Sequence, residues 1–150
     1  MVSLIDKVAV ELQVPDCQRI TVKTDLTLLP DLLTWFERFN GPPLATPTWM
    51  QCQLVLAEGF TNAVRHAHKH LPPEVEIEIE VAVSSQCLEL RIFDRGDPFD
   101  LPTAIERECQ EIDPEAERGR GLYLMDRIGD RLEYRRTEDG GNCLYWIKYL

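Results

Sequence analysis

The spacing of apolar residues changes period along this chain, and each change marks an element. Residues 17–22 alternate weakly and predict a first strand, after which Leu29, Leu32, Leu33, Phe36 and Phe39 recur at steps of three and four, the period of an amphipathic helix. Asn40, Gly41, Pro42 and Pro43 end that helix, because Asn and Gly tolerate a left-handed cap and proline cannot continue the hydrogen-bond ladder. Thr46 offers an N-cap oxygen and Pro47 a preset first-turn dihedral for a second helix. Its apolar stripe is Trp49, Cys52, Leu56, Phe60, Ala63 and Ala67, and it runs to Lys69, ahead of Pro72 and Pro73. From Val75 the period becomes two, with Val75, Ile77, Ile79, Val81 and Val83 on one face and Glu76, Glu78 and Glu80 on the other. Leu88, Leu90 and Ile92 against Glu89 and Arg91 read as the hairpin partner, with Glu and Arg placed to pair across the exposed face. Prolines 98, 102 and 114 and the carboxylate-rich stretch 106–117 predict a mobile lid with one short helix over residues 94–119. A third helix over 119–128, closed by Gly129, precedes strands at 131–136 and 142–149 joined by Asp139, Gly140 and Gly141.

Single-faced alternation in the strands predicts a two-layer α/β sandwich: a mixed, mostly antiparallel sheet with helices on one face and water on the other. An all-parallel, doubly wound sheet would show continuous Val and Ile runs instead. At 150 residues the chain makes one domain, and 44% hydrophobic with 28% charged residues excludes a disordered or collagen-like chain.

A net charge of −10 repels phosphate backbones and anionic membranes, so neither direct nucleic-acid binding nor membrane binding by bulk charge is expected. Twelve arginines against four lysines still allow a local site for phosphate or carboxylate. The five cysteines are widely spaced and form no CxxC pair, which predicts small buried hydrophobes in a reducing compartment, with no disulfide or zinc framework. With no stretch approaching the ~20 apolar residues of a membrane span, the cytoplasm is the expected location.

Three segments carry candidate chemistry. On the second helix Glu58 and Asn62 are four residues apart and share a polar face with Arg65. A Glu there can serve as general base and an Asn carbonyl oxygen as a hard ligand for Mg2+, although such a face is by itself only a solvated surface. Asp94-Arg95-Gly96-Asp97-Pro98-Phe99 puts an acid at a strand end, able to accept from an exocyclic amine such as adenine's, followed by a glycine that admits a flat ligand. Arg118-Gly119-Arg120-Gly121-Leu122 sets two glycines at a helix start, where free N–H groups gather an anion. Taken singly, the second segment is a good turn and the third a plausible loop.

Together, in this order and spacing, Glu58-Gly59-Phe60-Thr61-Asn62, Asp94-Arg95-Gly96 and Gly119-Arg120-Gly121 resemble the N, G1 and G2 boxes of the GHKL ATPases, the Bergerat fold shared by gyrase, histidine kinases and mismatch-repair ATPases. The short lid, the His66-Ala67 pair and the 119–125 ending GRGLYLM are most similar to the anti-sigma-factor serine/threonine protein kinases. The resemblance covers residues 17–149 and implies an ATPase domain over 17–150, with 1–16 as an N-terminal extension. It implies Glu58 as general base, Asn62 as magnesium ligand, Asp94 as the adenine-reading acid, Gly96 as the adenine-side glycine, and Gly119, Arg120 and Gly121 at the phosphates. Arg118 and Arg120 reach either the γ-phosphate or the acidic lid. ATP and Mg2+ are the implied cofactors, and a sigma factor and a STAS-domain anti-anti-sigma protein the implied partners. Several relatives are homodimers, so a homodimer is a further expectation. His66, His68 and His70 lack a third ligand nearby, so packing or a polar contact is expected in place of a metal. The competing reading is a non-catalytic nucleotide-binding module, or a plain ATPase; a pure binder has no need of a base at Glu58.

Overall fold

The computed structural model describes residues 16–110 and 120–150. Residues 1–15, nearly all of the expected extension, and 111–119, the last third of the expected lid, lie outside them. Strands β1 (Asp16–Lys23), β2 (Glu76–Val83), β3 (Cys87–Asp94), β4 (Arg131–Arg136) and β5 (Asn142–Tyr149) form one sheet in the order β1-β2-β3-β5-β4. All four pairings are antiparallel, the limiting case of the mostly antiparallel sheet expected. The helices are α1 (Leu29–Phe36), α2 (Thr46–Asn62), α3 (Leu101–Gln110) and α4 (Gly121–Ile128).

Alternation decides which face is buried. Ile77, Ile79, Val81, Leu88, Leu90, Ile92, Leu144 and Trp146 turn inward and form one core with Leu32, Phe36, Leu56, Phe60, Leu122 and Met125 from the helices. On the other face the charges pair differently from the expected Glu–Arg hairpin contact. Arg19 of β1 takes both Glu78, at 2.6 Å, and Glu80. Arg91, also opposite Glu80 in register, lies 4.5 Å from the Tyr145 ring centroid and pairs with Glu89 of its own strand at 3.6 Å. A neighbouring aromatic face holds the guanidinium, which leaves the third strand to neutralise the β2 carboxylates.

Three further expectations are corrected. Ala45, not Thr46, is the N-cap of α2, because the first helical bond runs from the Trp49 N–H to the Ala45 carbonyl at 2.9 Å. Of the cysteines only Cys52 is buried; Cys17 and Cys109 are exposed, since β1 turns Cys17 outward and the sparse apolar stripe of α3 leaves Cys109 outside it. The second helix also does not stay α-helical to Lys69: residues 63–67 widen into a π-turn in which the His68 N–H reaches the Ala63 carbonyl at 2.9 Å.

That wider turn swings His68 into the interior, where it is 1% exposed. Nε2 accepts the Arg95 N–H at 2.8 Å, so the ring proton sits on Nδ1 and is donated to Thr24 Oγ1, also at 2.8 Å. Thr24 in turn donates to the Val75 carbonyl at 2.6 Å. One neutral imidazole thereby ties the end of β3 to the loops that follow β1 and precede β2. Burial lowers its pKa from 6.5, partly opposed by the Asp94 charge. Because the folded value lies below the unfolded one, this contribution to stability is full above pH 6.5 and is lost as pH falls through the folded value. Urea denaturation should therefore show a decline in stability below that pH which His68→Leu lacks. The same variant should lose about 1–3 kcal/mol at neutral pH by orphaning the Arg95 N–H.

Candidate functional site

The polar face of α2 meets the start of α4. Gly59 lets α2 lie close on β3, since a Cβ there would stand 2.3 Å from Ile92 Cδ1, while Met125 of α4 would be at an ordinary 3.4 Å. Gly121 does the same for the chemistry, since a Cβ on it would stand 2.7 Å from Glu58 Oε2. The Glu58 carboxylate is thus held against the N-terminus of α4, half-buried. Burial pushes its pKa above the usual carboxylate range, with the Arg65 guanidinium partly offsetting the rise. A carboxylate with raised basicity is a better proton acceptor near neutral pH.

One turn along α2, Asn62 lines a cavity of about 430 Å³ bounded by His66, Phe99, Asp100, Glu108 and Leu122. It also lines a second, much smaller void of about 10 Å³ beside Asp94 and Tyr134, so it stands between the two spaces. Asp100 is committed elsewhere: its carboxylate accepts the Thr103 N–H at 3.0 Å and caps the lid helix α3.

Asp94 ends β3 and is only 6% exposed. Register explains how a carboxylate is tolerated there, because Asp94 pairs with Asn142 and Asn142 with Arg136 across three strands. Asn142 Nδ2 donates to Asp94 Oδ1 and to the Gly96 carbonyl, both at 2.8 Å, while Arg136 donates to Asn142 Oδ1 at 3.2 Å. The Gly96 N–H adds a second bond to Asp94 Oδ1 at 2.9 Å. Among the described residues no hydrogen bond falls on Oδ2, which leaves that oxygen for a ligand. Gly96 itself is pressed against the π-turn, with room for a Cβ denied by the Ala67 carbonyl at 2.1 Å.

The Asp94 end of the site is closed by aromatic rings. Phe99 and Tyr134 pack with centroids 4.3 Å apart and planes tilted by 38°, and the buried Tyr134 hydroxyl has no partner among the described residues. Desolvation and the Asp94 charge push that phenol's pKa up, so it stays protonated and able to donate. A void of about 10 Å³ holds at most one water, so any larger ligand beside Asp94 requires Phe99 to move off Tyr134.

Of the residues singled out in the sequence, Glu58 meets Gly121, Asn62 and Asp94 share a void, and Gly96 packs on the helix that carries Asn62. Arg120 is the N-cap residue of α4. Gly119 and Arg118 lie outside the described residues. Asn142, Tyr134 and Glu108 went unrecognised, whereas His68 makes the polar contacts expected in place of a metal. The strand register signals Asn142 and Tyr134, by placing Asn142 opposite Asp94 and Tyr134 one inward position away from Arg136.

The chain matches the family of histidine kinase-like ATPase domains over residues 22–148. Serine-protein kinase RsbW of Bacillus licheniformis is 31% identical over 104 residues, covering 65% of this chain and 63% of that protein. RsbW of Bacillus subtilis is 32% identical over 103 residues, covering 65% and 62%. The match therefore spans less than two thirds of the length of these curated relatives. A chain from the crystal structure of the SiaB-SiaC complex from Pseudomonas aeruginosa has the same fold, with a TM-score of 0.63 at 13% identity over 100% of this chain and 99% of that one. The family match over residues 22–148 places this protein in the histidine kinase-like ATPase domain family.

Proposed function

We propose that the protein is an ATP-dependent anti-sigma regulatory factor with serine protein kinase activity, acting in the cytoplasm, which binds a sigma factor and phosphorylates a STAS-type anti-anti-sigma antagonist. The observation that carries the kinase reading is the Glu58 carboxylate, made more basic by burial and set against the α4 N-terminus by a glycine. The name of the RsbW relatives, serine-protein kinase, supports the same chemistry.

On this reading Asp94 Oδ2 accepts a hydrogen bond from the exocyclic amine of adenine, and Gly96, the adenine-side glycine, lets the loop after β3 close on the π-turn beside it. The cavity of about 430 Å³ falls within the roughly 300–1,000 Å³ usual for small-molecule sites. Backbone N–H groups of α4, with Gly119, Arg120 and Gly121, receive the phosphates. Asn62 offers its amide oxygen to Mg2+, which when bound neutralises phosphate charge. Glu58 accepts the proton of the attacking seryl hydroxyl. The domain boundary proposed is 17–150.

Three outcomes follow. Asp94→Asn keeps an oxygen for the Gly96 N–H and Asn142 but turns an amide donor toward the adenine amine. By calorimetry it should bind ATP with a loss of about 1.5–3 kcal/mol, and wild-type affinity would remove the adenine assignment. Asn62→Ala should weaken ATP binding in Mg2+ and leave it unchanged in EDTA; equal losses would mean a structural role. Glu58→Gln should bind ATP as the wild type does, while radiolabel transfer to a STAS-domain serine falls by ~10² to 10⁴. Undiminished transfer would take Glu58 out of the mechanism, and absence of transfer by the wild type across STAS candidates would favour the non-catalytic module.

A further inference from the structure

The first turn of any helix leaves N–H groups without intrahelical partners and carries positive dipole charge. At α4 the N-cap residue, Arg120, makes no side-chain cap bond. The groups are met from another element. Glu108, near the end of the lid helix α3, accepts the Leu122 N–H on Oε1 at 3.3 Å and the Tyr123 N–H on Oε2 at 3.1 Å. Each carboxylate oxygen takes one amide, as two oxygens of a phosphate would. Glu108 and Leu122 both line the cavity of about 430 Å³, so this contact lies inside the candidate site.

We propose that the Glu108 carboxylate is an intramolecular stand-in for a nucleotide phosphate, seated on the α4 N-terminus until a phosphate displaces it. The inference rests on the nucleotide reading of the site and adds a competitor to it. A local cap would come from the N-cap residue or from two to three residues beyond it. Glu108 comes from fourteen residues upstream, on a helix whose apolar contacts with the core, Leu101, Ala104 and Ile105, lie in its first half. The carboxylate therefore links two things: the occupancy of the amides and the docking of the distal half of α3. The same N–H groups cannot serve Glu108 and a phosphate together, and the phosphate carries more charge into the dipole. Nucleotide entry then expels the carboxylate and undocks the end of the lid helix. In this way the phosphates, and not the base, set the position of the lid.

The test uses the full chain with Glu108→Ala and Glu108→Gln, titrated calorimetrically with MgATP and with adenosine, beside amide exchange at Leu122 and Tyr123. Without nucleotide, both amides should exchange faster in Glu108→Ala than in the wild type; with saturating MgATP the two proteins should match. MgATP should bind about three- to tenfold tighter to Glu108→Ala, the size of a released charge–dipole contact, with a smaller gain for Glu108→Gln. Adenosine, having no phosphate, should bind all three equally. Unchanged amide exchange, or MgATP binding that is unchanged or weaker in Glu108→Ala while the wild type binds well, overturns this proposal alone. A gain shared by adenosine overturns it too, since the effect would then not be at the phosphates. Failure of MgATP to bind any of the three proteins would remove the nucleotide reading, and the stand-in with it.

Discussion

Burying a carboxylate costs several kcal/mol unless donors meet it, and the end of β3 is organised around that requirement. Asp94 is held by the Asn142 amide and the Gly96 N–H, Asn142 is held by Arg136, and the Arg95 N–H next door is held by His68. Those four partners come from β5, the loop after β3, β4 and the π-turn of the second helix. Each is where it is because the antiparallel register and the wider helical turn bring it there. Among the described residues every hydrogen bond to the acid falls on one oxygen, so the network that makes burial tolerable also leaves the other oxygen for a ligand.

The opposite end of the cleft is governed by close approach. Gly59 lets α2 lie close on Ile92 of β3, and Gly121 leaves the space at the start of α4 into which the Glu58 carboxylate fits, so that a carboxylate lies against a helix N-terminus. An acid at a positive dipole end is favourable, yet half-burial still raises the Glu58 pKa. The result is a group suited to take a proton, beside a place suited to hold anions. Between the ends stands Asn62, on the same helix face as Glu58 and on the wall of the void that Asp94 lines.

Much of this was legible in the sequence because it depends on period and local backbone rules. Val-Glu-Ile-Glu-Ile-Glu states which strand face is wet, Asp139-Gly140-Gly141 states a turn, and both agree with the observed strands to within a residue. The three boxes stood out as acid, amide and glycines at set spacings. What stayed hidden depends on contacts distant in sequence. His68 looks like one of three histidines on a helix until a π-turn rotates it inward, and nothing local announces that turn. Arg91 was expected to pair with a glutamate across the hairpin, but a tyrosine from β5 lies alongside it, and Arg19 of β1 takes the β2 carboxylates. Glu108 was one acid in an acidic run; only the tertiary fold shows which amides it meets.

The central claim is that Asp94 reads an exocyclic amine at the base end of the cleft. Guanine carries an oxygen where adenine carries that amine, and two acceptors facing each other in a buried site repel and leave both unsatisfied. Titrating the wild-type protein with MgATP and with MgGTP under identical conditions measures this directly. The account predicts that ATP binds and that GTP binds at least ~10²-fold more weakly, as expected of a site built around a buried hydrogen bond to the base. Equal affinity for the two nucleotides would contradict it, because the phosphates would then be recognised without any reading of the base.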